Sequence, residues 1–266
     1  MERNTGLGNG ARVAPTKLES RNEMRKALAM AMFNQTGLEL IEDLLPQPQC
    51  HELLSGINSY RHKYHLPLIF RPRTNRSLKY MVIDGDRVYA FFPQLRELYT
   101  YVNNLLNKMC SLKLVPLSNT AARINVNIIP PGGEYRWHYD RNAVTAVLFL
   151  NEVPGGATEM YPNYRIYLGR RQHTSLQRVL DRLLCSHVLR TLFGKSVCAR
   201  PRPGFLLIMR GDRCLHSVRT VEGTEDRVSV VMAFDTLSGI RPPQHDLDSY
   251  LYTDRACVSC DPNYHK

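Results

Sequence analysis

The chain has 266 residues, 43% of them hydrophobic, and a formal net charge of +11, which allows a sizeable core in one large domain or two small ones and excludes a chain too polar to fold. No stretch approaches the ~18 consecutive apolar residues of a membrane span. The seven Cys, at 50, 110, 185, 198, 214, 257 and 260, lack the spacing of a disulfide framework, so the expected setting is a reducing cytoplasm without a membrane partner.

Residues 1–19 have no periodicity and are expected to form an arm. Ser20 and Glu23 make a capping box for a helix running through Met24, Leu28 and Met32 to Gly37. Leu38 to Leu45 reads as a short strand or turn. Helical spacing places a second helix from Pro48, carrying Cys50, Leu53, Leu54 and Ile57, and a third from near Pro93 to about Cys110. These helices are expected to brace a sheet. Between them, Arg71, Arg73 and Arg76 are either loop charge or a carboxylate-binding wall. Leu78 to Ile83 alternates as a strand does and ends at an expected turn, Asp84-Gly85-Asp86.

From residue 120 the pattern changes to strands. Arg123, Asn125 and Asn127 share one face of a strand and Ile124, Val126 and Ile128 the other, so the polar face meets either solvent or a cavity. Ala143 to Leu150 reads as a buried strand and Ala157 to Tyr161 as another. Residues 163–202 form an insertion, where Thr174 and Gln177 fit a capping box. Its apolar positions Leu176, Val179, Leu180, Leu183, Leu184 and Val188 oppose Arg178, Arg182 and Arg190. Nine Lys or Arg against one Asp in that insertion suit a lid that attracts anions or a solvated helix face. Strands resume at Phe205 to Met209, Cys214 to Val218 and Arg227 to Asp235. Residues 237–266 form a tail, in which Cys257-Val258-Ser259-Cys260 has the spacing of half a zinc site but no second pair.

The chemistry-bearing stretch is Arg136-Trp137-His138-Tyr139-Asp140-Arg141-Asn142. Alternation along a strand puts His138 and Asp140 on one face, with Trp137 on the other as expected core packing. His216 offers a third ligand, and Arg227 follows eleven residues later with Ser229 on its own face. Two imidazoles and a carboxylate leave open positions on an octahedral ion, as non-heme Fe(II) enzymes require. The competing reading is a non-catalytic jelly-roll module with structural histidines.

Trp137 to Asn142, Val144 to Leu150, Gly155-Gly156 with Glu159 to Pro162, and Pro203-Gly204 through His216 to Gly223 resemble the 2-oxoglutarate and Fe(II)-dependent oxygenases. More narrowly, they resemble the branch containing free-amino-acid radical halogenases and related hydroxylases and oxidative cyclases. The likeness covers about residues 120–236. It implies an α+β fold: a double-stranded β-helix, cupin-like jelly-roll core over 120–236, helical support over 20–119, and the two together as one oxygenase domain over 20–236. It also implies His138, Asp140 and His216 as iron ligands, and Arg227 with Ser229 as the clamp for the distal carboxylate of 2-oxoglutarate. Asp140 stands where halogenases carry a small residue, so hydroxylation, desaturation or ring formation is expected instead of halogenation, with O2 consumed and succinate and CO2 released. A small amino-acid-like substrate would draw on Arg71, Arg73 or Arg123 for its carboxylate, while Asn125, Asn127, Tyr135 or Glu159 would meet its amine or orient the co-substrate. The alternatives are a protein side chain or nucleic acid. Nucleic acid is disfavoured, because no dense basic stripe interleaved with aromatics lies outside the insertion.

Overall fold

The computed structural model describes residues 33–71, 78–168 and 174–237. The arm, most of the first expected helix, Arg73, Arg76 and the tail with its two Cys lie outside the described residues.

Twelve strands are named: β1 Leu38–Ile41, β2 Ile69–Arg71, β3 Leu78–Ile83, β4 Leu114–Pro116, β5 Ile124–Ile129, β6 Tyr135–His138, β7 Val144–Phe149, β8 Thr158–Tyr161, β9 Val197–Ala199, β10 Leu206–Met209, β11 Leu215–Val218 and β12 Arg227–Thr236. The helices are α1 Gln47–Lys63, α2 Gly85–Phe91, α3 Pro93–Met109, α4 Thr120–Arg123, α5 Ser175–Leu184 and α6 His187–Phe193. One antiparallel sheet runs β1-β10-β7-β12-β5-β3-β2, with β4 also on β12; a second runs β6-β11-β8-β9. This is a double-stranded β-helix. Strands from the supporting region also extend the larger sheet: β1 and β3 where strand-like segments are expected, and β2 and β4 beyond those expectations.

The larger sheet has two chemically different faces, fixed by the period-two alternation of its strands. Ile124, Val126, Ile128, Ala146, Leu148, Val228, Val230 and Met232 face outward into a core that includes Cys50, Leu53 and Ile57 of α1 and Leu95, Tyr99, Val102 and Leu106 of α3. Tyr99 stacks on Phe234 at 4.8 Å, and its hydroxyl donates to the Ala233 carbonyl at 2.9 Å. Each fully buried aliphatic side chain in this layer contributes about 1.5–3 kcal/mol of transfer free energy. The opposite face carries Asn125, Asn127, Ser229 and Arg227 and looks toward the smaller sheet.

Three local expectations are corrected. Asp84 is an N-cap, accepting from the Arg87 backbone N–H at 3.0 Å, so a helix starts at the expected turn. Arg123 belongs to α4 rather than to the strand, and its Nε donates to the Leu117 carbonyl at 2.8 Å, away from the face that holds Asn125 and Asn127. The insertion helix keeps Leu184 buried and Arg182 exposed, as expected, but does not bury the rest of its apolar stripe. Gln177 and Asp181 are buried while Leu176, Val179 and Leu183 are exposed, and Arg190 is buried where Val188 is not. The cause is Arg165, which lies between the Tyr139 and Tyr167 rings and donates to both Asp181 carboxylate oxygens, at 3.1 and 2.6 Å. A guanidinium buried there needs an anion, and Asp181 is the only acid in the insertion.

Candidate metal centre

The second sheet brings the two histidines together. His138 on β6 and His216 on β11 are cross-strand partners. Asp140 follows β6 by two residues, and its backbone N–H donates to the Gly211 carbonyl at 3.0 Å. Asp140 Oδ1 lies 3.6 Å from His138 Nε2 and 3.5 Å from His216 Nε2. The ligand atoms of all three residues fall within 4.8 Å of one another. Two donors each ~2.1 Å from one ion lie at most ~4.2 Å apart, a limit that the 3.6 and 3.5 Å separations from Asp140 Oδ1 meet.

Each imidazole is oriented by a carbonyl two residues earlier. His138 Nδ1 meets the Arg136 carbonyl at 2.8 Å, and His216 Nδ1 meets the Cys214 carbonyl at 3.0 Å. A carbonyl only accepts, so both Nδ1 atoms carry the proton and both Nε2 lone pairs face Asp140. Burial, followed by the neighbouring His216, holds His138 below the ordinary imidazole pKa of 6.5, which keeps it neutral and able to ligate.

Arg227 begins β12 and is 2% exposed. Its Nε donates to the Gly156 carbonyl at 2.8 Å, and its two terminal nitrogens donate to Ser229 Oγ and Thr158 Oγ1, both at 3.2 Å. Its guanidinium lies over the Phe149 ring at 4.9 Å. Among the described residues no carboxylate pairs with it, and burial pushes its pKa down to about 10. Gly156 is close by necessity, with φ +58° and an added Cβ meeting Arg227 Cδ at 3.0 Å. A buried cation without an anion is a strong candidate to receive one.

A cavity of about 150 Å³ joins the two features, lined by His138, Asp140, His216, Arg227, Ser229, Asn125, Asn127, Tyr135 and Thr158 among others. The registers explain this assembly: Asn127 pairs with Ser229 and with Val82, and His216 pairs with both His138 and Met160. Asn127 Nδ2 donates to the Tyr135 hydroxyl at 2.8 Å. The polar face of β5 therefore lines a cavity at Asn125 and Asn127 and not at Arg123.

Another candidate lies elsewhere. Glu159 is on the outer face of β8, paired with Arg219, in a separate cleft. Trp137 lines that same cleft, half-buried under the Arg190 guanidinium at 4.0 Å, instead of packing in the core. Arg71 ends β2, a strand at the edge of the larger sheet. The sequence reading passed over Thr145 and Thr158, whose hydroxyls face the cavity from strands that otherwise looked merely buried. Thr145 is the only polar residue in β7, which was the available signal.

No family profile and no curated protein matches the chain. Solved structures do. The non-heme alpha ketoglutarate dependent carbocyclase SnoK from nogalamycin biosynthesis aligns at TM-score 0.63 and 14% identity over 82% of this chain and 88% of its own. A prolyl hydroxylase from Trichoplax adhaerens, in complex with a hypoxia inducible factor peptide fragment, aligns at 0.58 and 18% over 84% and 94%. EctD from S. alaskensis, with 2-oxoglutarate and 5-hydroxyectoine, aligns at 0.57 and 14% over 80% and 76%. At these identities the likeness establishes the double-stranded β-helix fold.

Proposed function

We propose that the chain is an Fe(II)- and 2-oxoglutarate-dependent oxygenase. The observation that carries this reading is one cavity holding both a His138–Asp140–His216 ligand set and the buried Arg227 guanidinium, which has no carboxylate partner among the described residues. His138, Asp140 and His216 would hold the metal, and three protein ligands would leave open positions on an octahedral ion. Arg227, with Ser229 beside it, would receive the distal carboxylate. When bound, Fe(II) and 2-oxoglutarate supply oxidative decarboxylation, with O2 as oxidant and succinate and CO2 as products.

The chain's own residues bind, orient and exclude water. Arg227 is held by Gly156 and Thr158 so that its planar fork is fixed before an anion arrives, which lowers the ordering cost of binding. Val82, Val147, Met209, Val218 and Val231 make up the apolar part of the wall and limit bulk water at the reacting centre.

The reading extends to a small, amino-acid-like substrate undergoing hydroxylation, desaturation or ring formation, as in the branch that the sequence resembles. Its support is the polar cavity wall of Asn125, Asn127 and Tyr135. Arg123 and Glu159 take no part in it, because their side chains are engaged elsewhere. The neighbours, as their names describe them, are held with molecules as different as 5-hydroxyectoine and a peptide fragment. A screen of free amino acids, small zwitterions and prolyl peptides for stimulated succinate formation tests the extension. Stimulation by peptides alone would replace it with a protein side-chain substrate.

A further inference from the structure

We infer that Thr145 is a positioning residue for the metal centre, reserving one oxygen of Asp140 so that the other alone faces the two imidazoles; this rests on reading His138, Asp140 and His216 as metal ligands. Thr145 is 4% exposed and stands in an otherwise apolar strand. Burying a hydroxyl there is costly unless it is hydrogen-bonded.

The proton accounting gives its direction. Asn142 Nδ2 lies 2.6 Å from the Val144 carbonyl and 2.9 Å from Thr145 Oγ1. The carbonyl can only accept, so the amide nitrogen faces this side and spends one proton on Val144 and the other on Thr145. Thr145 Oγ1 thus accepts from Asn142, and its own single proton points to Asp140 Oδ2, at 2.5 Å. Oδ1 is the oxygen that approaches His138 and His216, at 3.6 and 3.5 Å. The chain Asn142 to Thr145 to Asp140 therefore fixes the rotation of the carboxylate.

Packing holds the same arrangement from the other side. A Cβ on Gly211 would lie 2.7 Å from Thr145 Oγ1 and 2.9 Å from Asp140 Cβ, so only glycine lets the β10–β11 connection close over this pair. The functional consequence is one-oxygen ligation by Asp140. A carboxylate free to rotate would offer both oxygens and take a coordination position that co-substrate or O2 needs.

The test is anaerobic metal titration without 2-oxoglutarate on wild type, Thr145→Val, Thr145→Ser and Asn142→Ala, together with the visible absorption of the Co(II)-loaded proteins, which reports coordination number. Thr145→Val keeps shape but loses the donor. It is expected to weaken Fe(II) binding about 10-fold or more, the usual scale for an outer partner of a ligand, and to change the Co(II) spectrum. Thr145→Ser is expected to retain the wild-type affinity and spectrum, and Asn142→Ala to shift both in the Thr145→Val direction. Wild-type affinity and spectrum in Thr145→Val would overturn the inference, and so would a wild type that takes up no metal. A wild type that binds metal but not 2-oxoglutarate would defeat the oxygenase reading alone, with the Thr145 comparison still deciding this point.

Discussion

His138 and His216 sit directly opposite each other on β6 and β11, with ring centroids 4.2 Å apart and both Nε2 atoms turned to Asp140. Two imidazoles this close cannot both be charged cheaply, and burial already disfavours the cation on His138. The sign of the pH dependence follows. The unfolded chain takes up a proton near the ordinary 6.5, the folded one only at lower pH, so the metal-free protein loses stability as pH falls below about 7 toward the depressed value. Thermal midpoints measured with chelator between about pH 7.5 and 5 should decline, and His138→Gln should flatten the decline. A wild-type midpoint that rises with acidification would contradict this account.

Arg227 is buried with no carboxylate partner among the described residues, so on the proposed reading 2-oxoglutarate should stabilise wild type in a concentration-dependent way. Arg227→Met should abolish that rise in melting temperature. It should weaken 2-oxoglutarate binding by roughly 10- to 100-fold, the scale of a charged hydrogen-bonded pair at ~1.5–3 kcal/mol. Gly156→Ala crowds Arg227 Cδ and strains a positive φ, so it should raise the KM for 2-oxoglutarate in the same direction. Steady-state succinate formation measures both.

Arg165 and Asp181 form an ion pair with side chains 7% and 3% exposed, extended by Gln177, which bridges Asp181 and the Ile166 carbonyl. Removing one partner leaves an uncompensated buried charge at a cost of ~3–5 kcal/mol. Asp181→Ala is therefore expected to release α5 from the body, read as faster amide hydrogen exchange over 175–184. Unchanged exchange there would show that the pair does not hold the helix.

Glu159 faces the outer cleft, so Glu159→Gln should leave the KM for 2-oxoglutarate and the Fe(II) affinity within about twofold of wild type, as expected of a substitution away from the cavity. A larger loss of either would place the residue in the reaction after all.

Much of the frame was legible because two-residue alternation is a local property. Arg227 with Ser229, and Asn125 with Asn127, share faces as the strand period requires, and buried β7 showed itself by its apolar run; Asp140 reaches His138 from just past the end of β6, where its backbone N–H is held by the Gly211 carbonyl, and not from within the strand. Three other readings failed for separate reasons. Alternation carried the strand back to Arg123, but the Asn119 cap, whose side chain accepts from the Ala121 N–H, starts a helical turn there. The amphipathic pattern of 176–188 predicts an inward apolar stripe, but the buried Arg165 draws Asp181 inward and leaves Leu176, Val179 and Leu183 exposed. Glu159 looked like a site residue because the stretch around it resembled a family motif, yet the strand period sends its side chain to the outer face.

The most direct test of the central claim is anaerobic addition of Fe(II) and then 2-oxoglutarate to the metal-free protein, following the visible metal-to-ligand charge-transfer band in wild type, Asp140→Ala and Arg227→Met. The account predicts a band in wild type, its loss in Asp140→Ala, and in Arg227→Met a band that needs far more 2-oxoglutarate while Fe(II) affinity is unchanged. A wild type that binds Fe(II) and 2-oxoglutarate without developing the band, or that binds neither, would contradict it.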